Sequence, residues 1–178
     1  MQIAYRQLID TTLLTVAHET SLLYVSLRVE NTTFKTDSLN DLRQSKLGQN
    51  LIILAEYLTG SPADNQYIQQ VLDDVLRTLF RRVYTPLFIV PWEFHRTDLG
   101  QFLDASFAKT LEPEILLTAT QAGRLIKKSR GHIYDLAMRG QIRPLYLHGH
   151  YLFMSDQVKL LAQNTIKEKP NLWNTLFE

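Results

Sequence analysis

A chain of 178 residues, 45% apolar and 21% charged, has the composition of a globular protein and length for one large domain or two small ones. It has no cysteine, which excludes a disulfide framework, a thiolate zinc site and a cysteine nucleophile. No stretch approaches the roughly 20 apolar residues that span a bilayer, and the net charge of +1 hides an uneven distribution. Met1 to Leu111 carries ten Lys or Arg against twelve Asp or Glu, whereas Leu117 to Gln163 carries seven against two. The first residues show no basic region leading into an apolar run and a cleavage site, so a cytoplasmic location is expected.

In chain order, Tyr5, Leu8 and Ile9 suggest a helix. Leu23, Val25, Leu27 and Val29 alternate with Tyr24, Ser26, Arg28 and Glu30, a pattern that predicts a half-buried strand ending near Asn31. A helix is expected over Leu39 to Leu58, capped by Ser38 and followed by Gly60, with Leu51 to Leu54 buried. The strongest periodicity, Ile68, Val71, Leu72, Val75, Leu76, Leu79, Phe80 and Val83, predicts a helix from Pro62 to Tyr84 with Ser61 as cap. A shorter helix over Asp98 to Ala108 rests on Leu99, Phe102, Leu103 and Phe107. Glu93, His95 and Asp98 lack an accompanying nucleophile or glycine-rich phosphate loop, so they read as structural polar groups and not as an acid–base cluster. Residues 1–111 thus form a helical N-terminal domain whose surface makes a dimer or holds a protein partner. Glu112-Pro113-Glu114 reads as a joint.

Past Pro113 the local signals come in an ordered series. Thr118 with Gln121 is a capping-box pattern opening a helix with Ala122, Leu125 and Ile126 on its inner face. Ser129 caps a second short helix whose Ile133, Leu136 and Ala137 face inward, and Gly140 suits a left-handed end. Leu145 and Leu147 alternate on one side of His148-Gly149, Tyr151 and Phe153 on the other, which predicts a hairpin. Ser155 caps a last helix carrying Val158, Leu161 and Ala162. Residues 166–178, with Leu172, Trp173, Leu176 and Phe177, read as an amphipathic tail.

The run Leu117-Thr118, Gln121-Ala122-Gly123, Leu125-Ile126, Ser129-Arg130, Ile133-Tyr134, Gly140-Gln141-Ile142, Gly149, Tyr151, Phe153 and Asp156 resembles the excisionase-like, MerR-related winged helix-turn-helix domains. The match is ungapped over about 45 residues. The resemblance implies a mainly α fold with a small β-hairpin wing, set over residues 115–165. It implies double-stranded DNA as partner, with the second helix in the major groove and the hairpin over the minor groove or backbone. Such domains serve in transcription control and as recombination accessory factors.

On that reading Ser129, Arg130 and His132 open the recognition helix, and Arg130 suits a guanine edge or a phosphate. Lys127 and Lys128 in the turn and Arg139 at the helix end suit phosphates. His148 and His150 flank the wing tip. His132, His148 and His150 have no carboxylate placed with them, so no metal and no cofactor is expected. Tyr134 reads as packing.

Three departures from the family pattern stand out. Asp135 stands where a basic or neutral residue is usual, and His150, Leu152 and Met154 replace wing arginines. Gly123 replaces an alanine at a helix-propensity cost of up to ~1 kcal/mol. The alternative to a DNA-binding regulator is therefore an interaction adaptor that keeps the scaffold. An enzyme is not expected, for want of a catalytic constellation.

Overall fold

The computed structural model describes residues 3–26, 38–80, 90–111 and 115–167. Residues 168–178 of the expected tail, the Glu112-Pro113-Glu114 joint, residues 81–84 of the helix expected over Pro62 to Tyr84 and the strand positions from Leu27 onward lie outside them; Ile166 and Lys167 belong to the last helix. The fold is mainly helical, with a small three-stranded antiparallel sheet. The chain divides into two compact units, Met1–Val90 with Thr97–Leu111, and Pro91–Arg96 with Glu112–Glu178. No helix of the described residues is long and apolar enough to cross a membrane.

The first unit is built from α1 (Ile3–Ser26), α2 (Leu39–Gln44), α3 (Lys46–Leu58), α4 (Asn65–Phe80) and α5 (Asp98–Lys109). α3 lies at its centre and packs on the other four. Leu51, Leu54 and Ala55 of α3 and Ile68, Leu72 and Val75 of α4 are almost wholly removed from solvent, as the periodicity requires. α1 corrects the expected strand: it runs helical through Ser26, because Ile9, Thr12 and Leu13 continue the spacing of Tyr5 and bury one side of a 24-residue helix.

The single helix expected over Leu39 to Leu58 is two. Ser45, in extended geometry at φ −63° and ψ 159°, ends α2 and caps α3. A Cβ on Gly48 would lie 2.4 Å from the Leu42 carbonyl oxygen, so the corner closes only on a residue without a side chain. α4 starts at Asn65, later than expected. Asp64, and not Ser61, is its cap: the Asp64 carboxylate accepts the Tyr67 amide at 2.9 Å.

The second unit contains the 3₁₀ turn Trp92–Arg96, then β1 (Leu116–Thr118), α6 (Ala119–Leu125), α7 (Arg130–Met138), β2 (Pro144–Leu147), β3 (His150–Met154) and α8 (Ser155–Lys167). The sheet order is β1-β3-β2. The strand β1, three residues long, pairs Leu117 with Phe153 and was not foreseen. Thr118 and Ser129 cap as expected, Thr118 with its complete capping box. Ser155 falls inside α8 as its first residue, a shift from the expected cap position.

Ala119, Ala122, Ile133, Ala137, Ile142, Tyr151, Phe153 and Val158 form one core, with Trp92, Leu117, Ile126, Tyr134 and Tyr146 packed against it. Leu125, expected inside, is 44% exposed; Ala119 and Gly123 occupy the inner face of α6 instead.

Candidate nucleic-acid interface

α6 ends on Ile126. The Lys127 amide then donates to Arg124 O at 3.3 Å, and the Lys128 amide to Gly123 O at 2.8 Å. This crossed pair of bonds closes the helix and requires a left-handed residue between them. That residue is Lys127, at φ 55°. The turn passes so close to α6 that a Cβ on Gly123 would stand 2.7 Å from Lys128 O. Gly123 is therefore a fitted position and not a defect of the helix.

Two residues on, the Ser129 hydroxyl accepts the His132 amide at 3.2 Å and opens α7. Backbone bonding thus holds Lys127, Lys128, Ser129 and Arg130 in sequence at one corner, all exposed. Among the described residues, none of Arg124, Lys127, Lys128, Arg130 and Arg139 joins an ion pair. Positive charge left without a carboxylate partner remains available to an anion from solution.

Arg130 has a partner of another kind. Its guanidinium lies over the Tyr134 ring, 5.4 Å from the centroid, and Nη2 donates to the Tyr134 hydroxyl at 3.2 Å. Tyr134 in turn meets Trp92 edge-on at 5.7 Å, Phe153 at 6.1 Å and Tyr151 at 6.4 Å. It packs, as expected, and it also carries Arg130. Trp92 lies 3.9 Å from Tyr151, and Arg96 lies over the Tyr151 ring at 5.5 Å. Burial pushes the Tyr151 phenol up, against the opposing pull of Arg96. Trp92 and Arg96 were not foreseen as part of this module, because their partners stand more than forty residues away in sequence.

The remaining expected site residues are not gathered at the corner. Arg139 is the C-cap of α7, about 13 Å along the axis from Arg130 at 1.5 Å per residue. His132 is half-buried on α7. His148 and His150 are exposed at the hairpin tip, and neither side chain makes a hydrogen bond, ion pair or ring contact among the described residues. His148, at φ 50°, and Gly149, at φ 82°, make the two-residue turn with both central residues left-handed.

The pleat places Leu145, Leu147, Leu152 and Met154 on the sheet face opposite Tyr151 and Phe153. Leu145 is wholly buried and Leu152 and Met154 are half-buried. Asp135, on α7, is exposed and projects about 140° around the helix from Arg130 at 3.6 residues per turn. His95 is 1% exposed, whereas Glu93 and Asp98 are exposed. The described residues bring together no group of three or more His, Asp or Glu side chains able to hold a metal ion. No protein-family model, curated protein or solved structure matches the chain.

Proposed function

We propose that the protein is a DNA-binding regulator that uses residues 115–165 as an excisionase-like winged helix-turn-helix. The observation that carries this reading is the exposed corner Lys127-Lys128-Ser129-Arg130, three cations without a carboxylate partner, set on the capped start of α7. A duplex presents one phosphate charge per roughly 1.7 Å of axis, and neutralising it releases condensed counterions. A fixed row of cations at a helix start matches that surface, with the helix dipole adding to the attraction. The order strand, helix, tight turn, helix, hairpin, helix supports the same reading. Contact is made end-on, through the turn and the first residues of α7.

The test is fluorescence anisotropy on random-sequence duplexes across a salt series. The triple variant Lys127→Ala, Lys128→Ala, Arg130→Ala is expected to bind more weakly and to show a salt slope smaller by about 2 to 3. Its unfolding transition should stay close to that of the parent. An unchanged slope rejects the assignment.

One observation favours a second reading, the adaptor. The outward side of α7 carries Asp135 and the 59% exposed Met138, a pair better suited to a protein than to a phosphate chain. On that reading no duplex binds specifically at any salt.

A further inference from the structure

We infer that Arg130 reads a guanine edge, and that Tyr134 is the positioning residue that makes it a base reader. This inference rests on the DNA reading above and assigns the one position of sequence discrimination within it. A free arginine side chain samples many rotamers, a freedom part of which is lost when it binds. Here that loss is taken in the folded protein. Arg130 opens α7, Tyr134 lies four residues on, and helical side chains lean toward the N-terminus, so the ring reaches back beneath the guanidinium. The ring cannot swing away, because Trp92, Phe153 and Tyr151 surround it. Its hydroxyl accepts one N–H of Nη2, fixing rotation of the fork about its axis. The other donors of the fork stay open, since Arg130 is exposed and in no ion pair.

Fixed orientation has a use only toward a directional partner. Phosphate oxygens spread charge over a tetrahedron, which the unanchored Lys127 and Lys128 can follow. Guanine O6 and N7 present two acceptors in one plane at one spacing, which a held planar fork matches in a bidentate pair. The other exposed residues of α7 are Gly131, Asp135 and Met138, none of which can donate to a guanine edge through its side chain, and His132 is half-buried and has no planar fork. Discrimination is thus expected at a single guanine, with the remaining affinity insensitive to sequence.

The experiment is selection from a pool of randomised duplexes with the full-length chain, comparing the parent with Arg130→Lys, Tyr134→Phe and the double variant. The parent is expected to enrich guanine at one fixed position. Arg130→Lys keeps the charge and loses the fork, so preference there falls by on the order of tenfold. Tyr134→Phe keeps the ring and its packing and deletes only the hydroxyl. It is expected to lower the same preference severalfold, leave all other positions unchanged, and add nothing to Arg130→Lys in the double variant. Equal loss at all positions in Tyr134→Phe, or no loss, overturns the positioning role. A motif without guanine overturns the inference and leaves DNA binding standing. Absence of any binding to the pool at low salt overturns both.

Discussion

Lys127 does two things that pull against each other. Its left-handed backbone closes α6, a conformation that costs an L-residue with a Cβ about 1 kcal/mol or more relative to glycine. Its ammonium is one of three cations at the corner. The same bonding pattern ends α7 on Gly140, at φ 70°, where no charge is needed. Lys127→Gly is therefore expected to raise the unfolding free energy by about 1 kcal/mol in a denaturant titration, and to weaken duplex binding in the anisotropy assay. Opposite signs from one substitution separate stability from function; a variant both less stable and equally able to bind contradicts the account. Asp10 offers a second single-residue test. Hydrogen bonds from Arg43, Nε to Oδ1 at 2.8 Å and Nη2 to Oδ2 at 2.6 Å, hold its carboxyl below the ordinary value of 3.8. A depressed folded value means the stabilisation is fully present above about pH 4 and is lost as pH falls through the lowered value. Asp10→Asn is expected to flatten the stability curve below pH 4 and to lie under the parent above it.

Elements were legible where their signals are local. Ser38, Thr118 and Ser129 each accept the amide that ends a helix's first turn, a bond made within four residues and so visible as a pattern of types. The buried stripe of α4 and the hairpin about His148-Gly149 follow from periods of 3.6 and 2 in the same way. The corner at Ser45 was not legible. Periodicity runs through it unbroken, and what breaks the helix is the approach of Leu42 and Arg43 to Gly48. The alternation from Leu23 to Glu30 misled over its described part, Leu23 to Ser26, which continues the helix that buries Ile9 and Leu13. Ser45 serves two helices: its hydroxyl donates to Leu42 O at 2.6 Å and accepts the Gly48 amide at 3.1 Å. Ser45→Ala leaves the Gly48 amide without its acceptor, while Leu42 O keeps the Ser45 amide at 3.2 Å, and we expect a loss of about 1 kcal/mol by denaturant titration. Ser45→Asp, which restores an acceptor for the Gly48 amide, should recover part of it. A neutral Ser45→Ala would show that solvent completes the corner unaided.

At the scale of the whole chain, the second unit draws in a segment that sequence order assigns to the first. Pro91–Arg96 precedes α5, yet its Trp92 lies against Tyr151 and Tyr134 and packs on the core of α6, α7 and the sheet. Contiguity misplaces such a segment, because contacts spanning some fifty residues leave no mark in local pattern. The consequence reaches the candidate site. Trp92 backs Tyr134, Tyr134 backs Arg130, and the placement of the Arg130 guanidinium therefore depends on an aromatic stack begun upstream of α5. Removing a half-buried indole strips away large apolar contact and two ring pairs, a loss of about 2 kcal/mol or more. Trp92→Ala is thus expected to lower amide protection in α6, α7 and β3 by at least tenfold in native-state hydrogen exchange, with the amides of α3 and α4 keeping theirs. It is also expected to reduce guanine preference with Lys127 and Lys128 untouched, since Tyr134 loses its edge-on support. Uniform loss of protection across both units would mean that Trp92 supports the chain as a whole, and the assignment of Pro91–Arg96 to the second unit's function would fall with it.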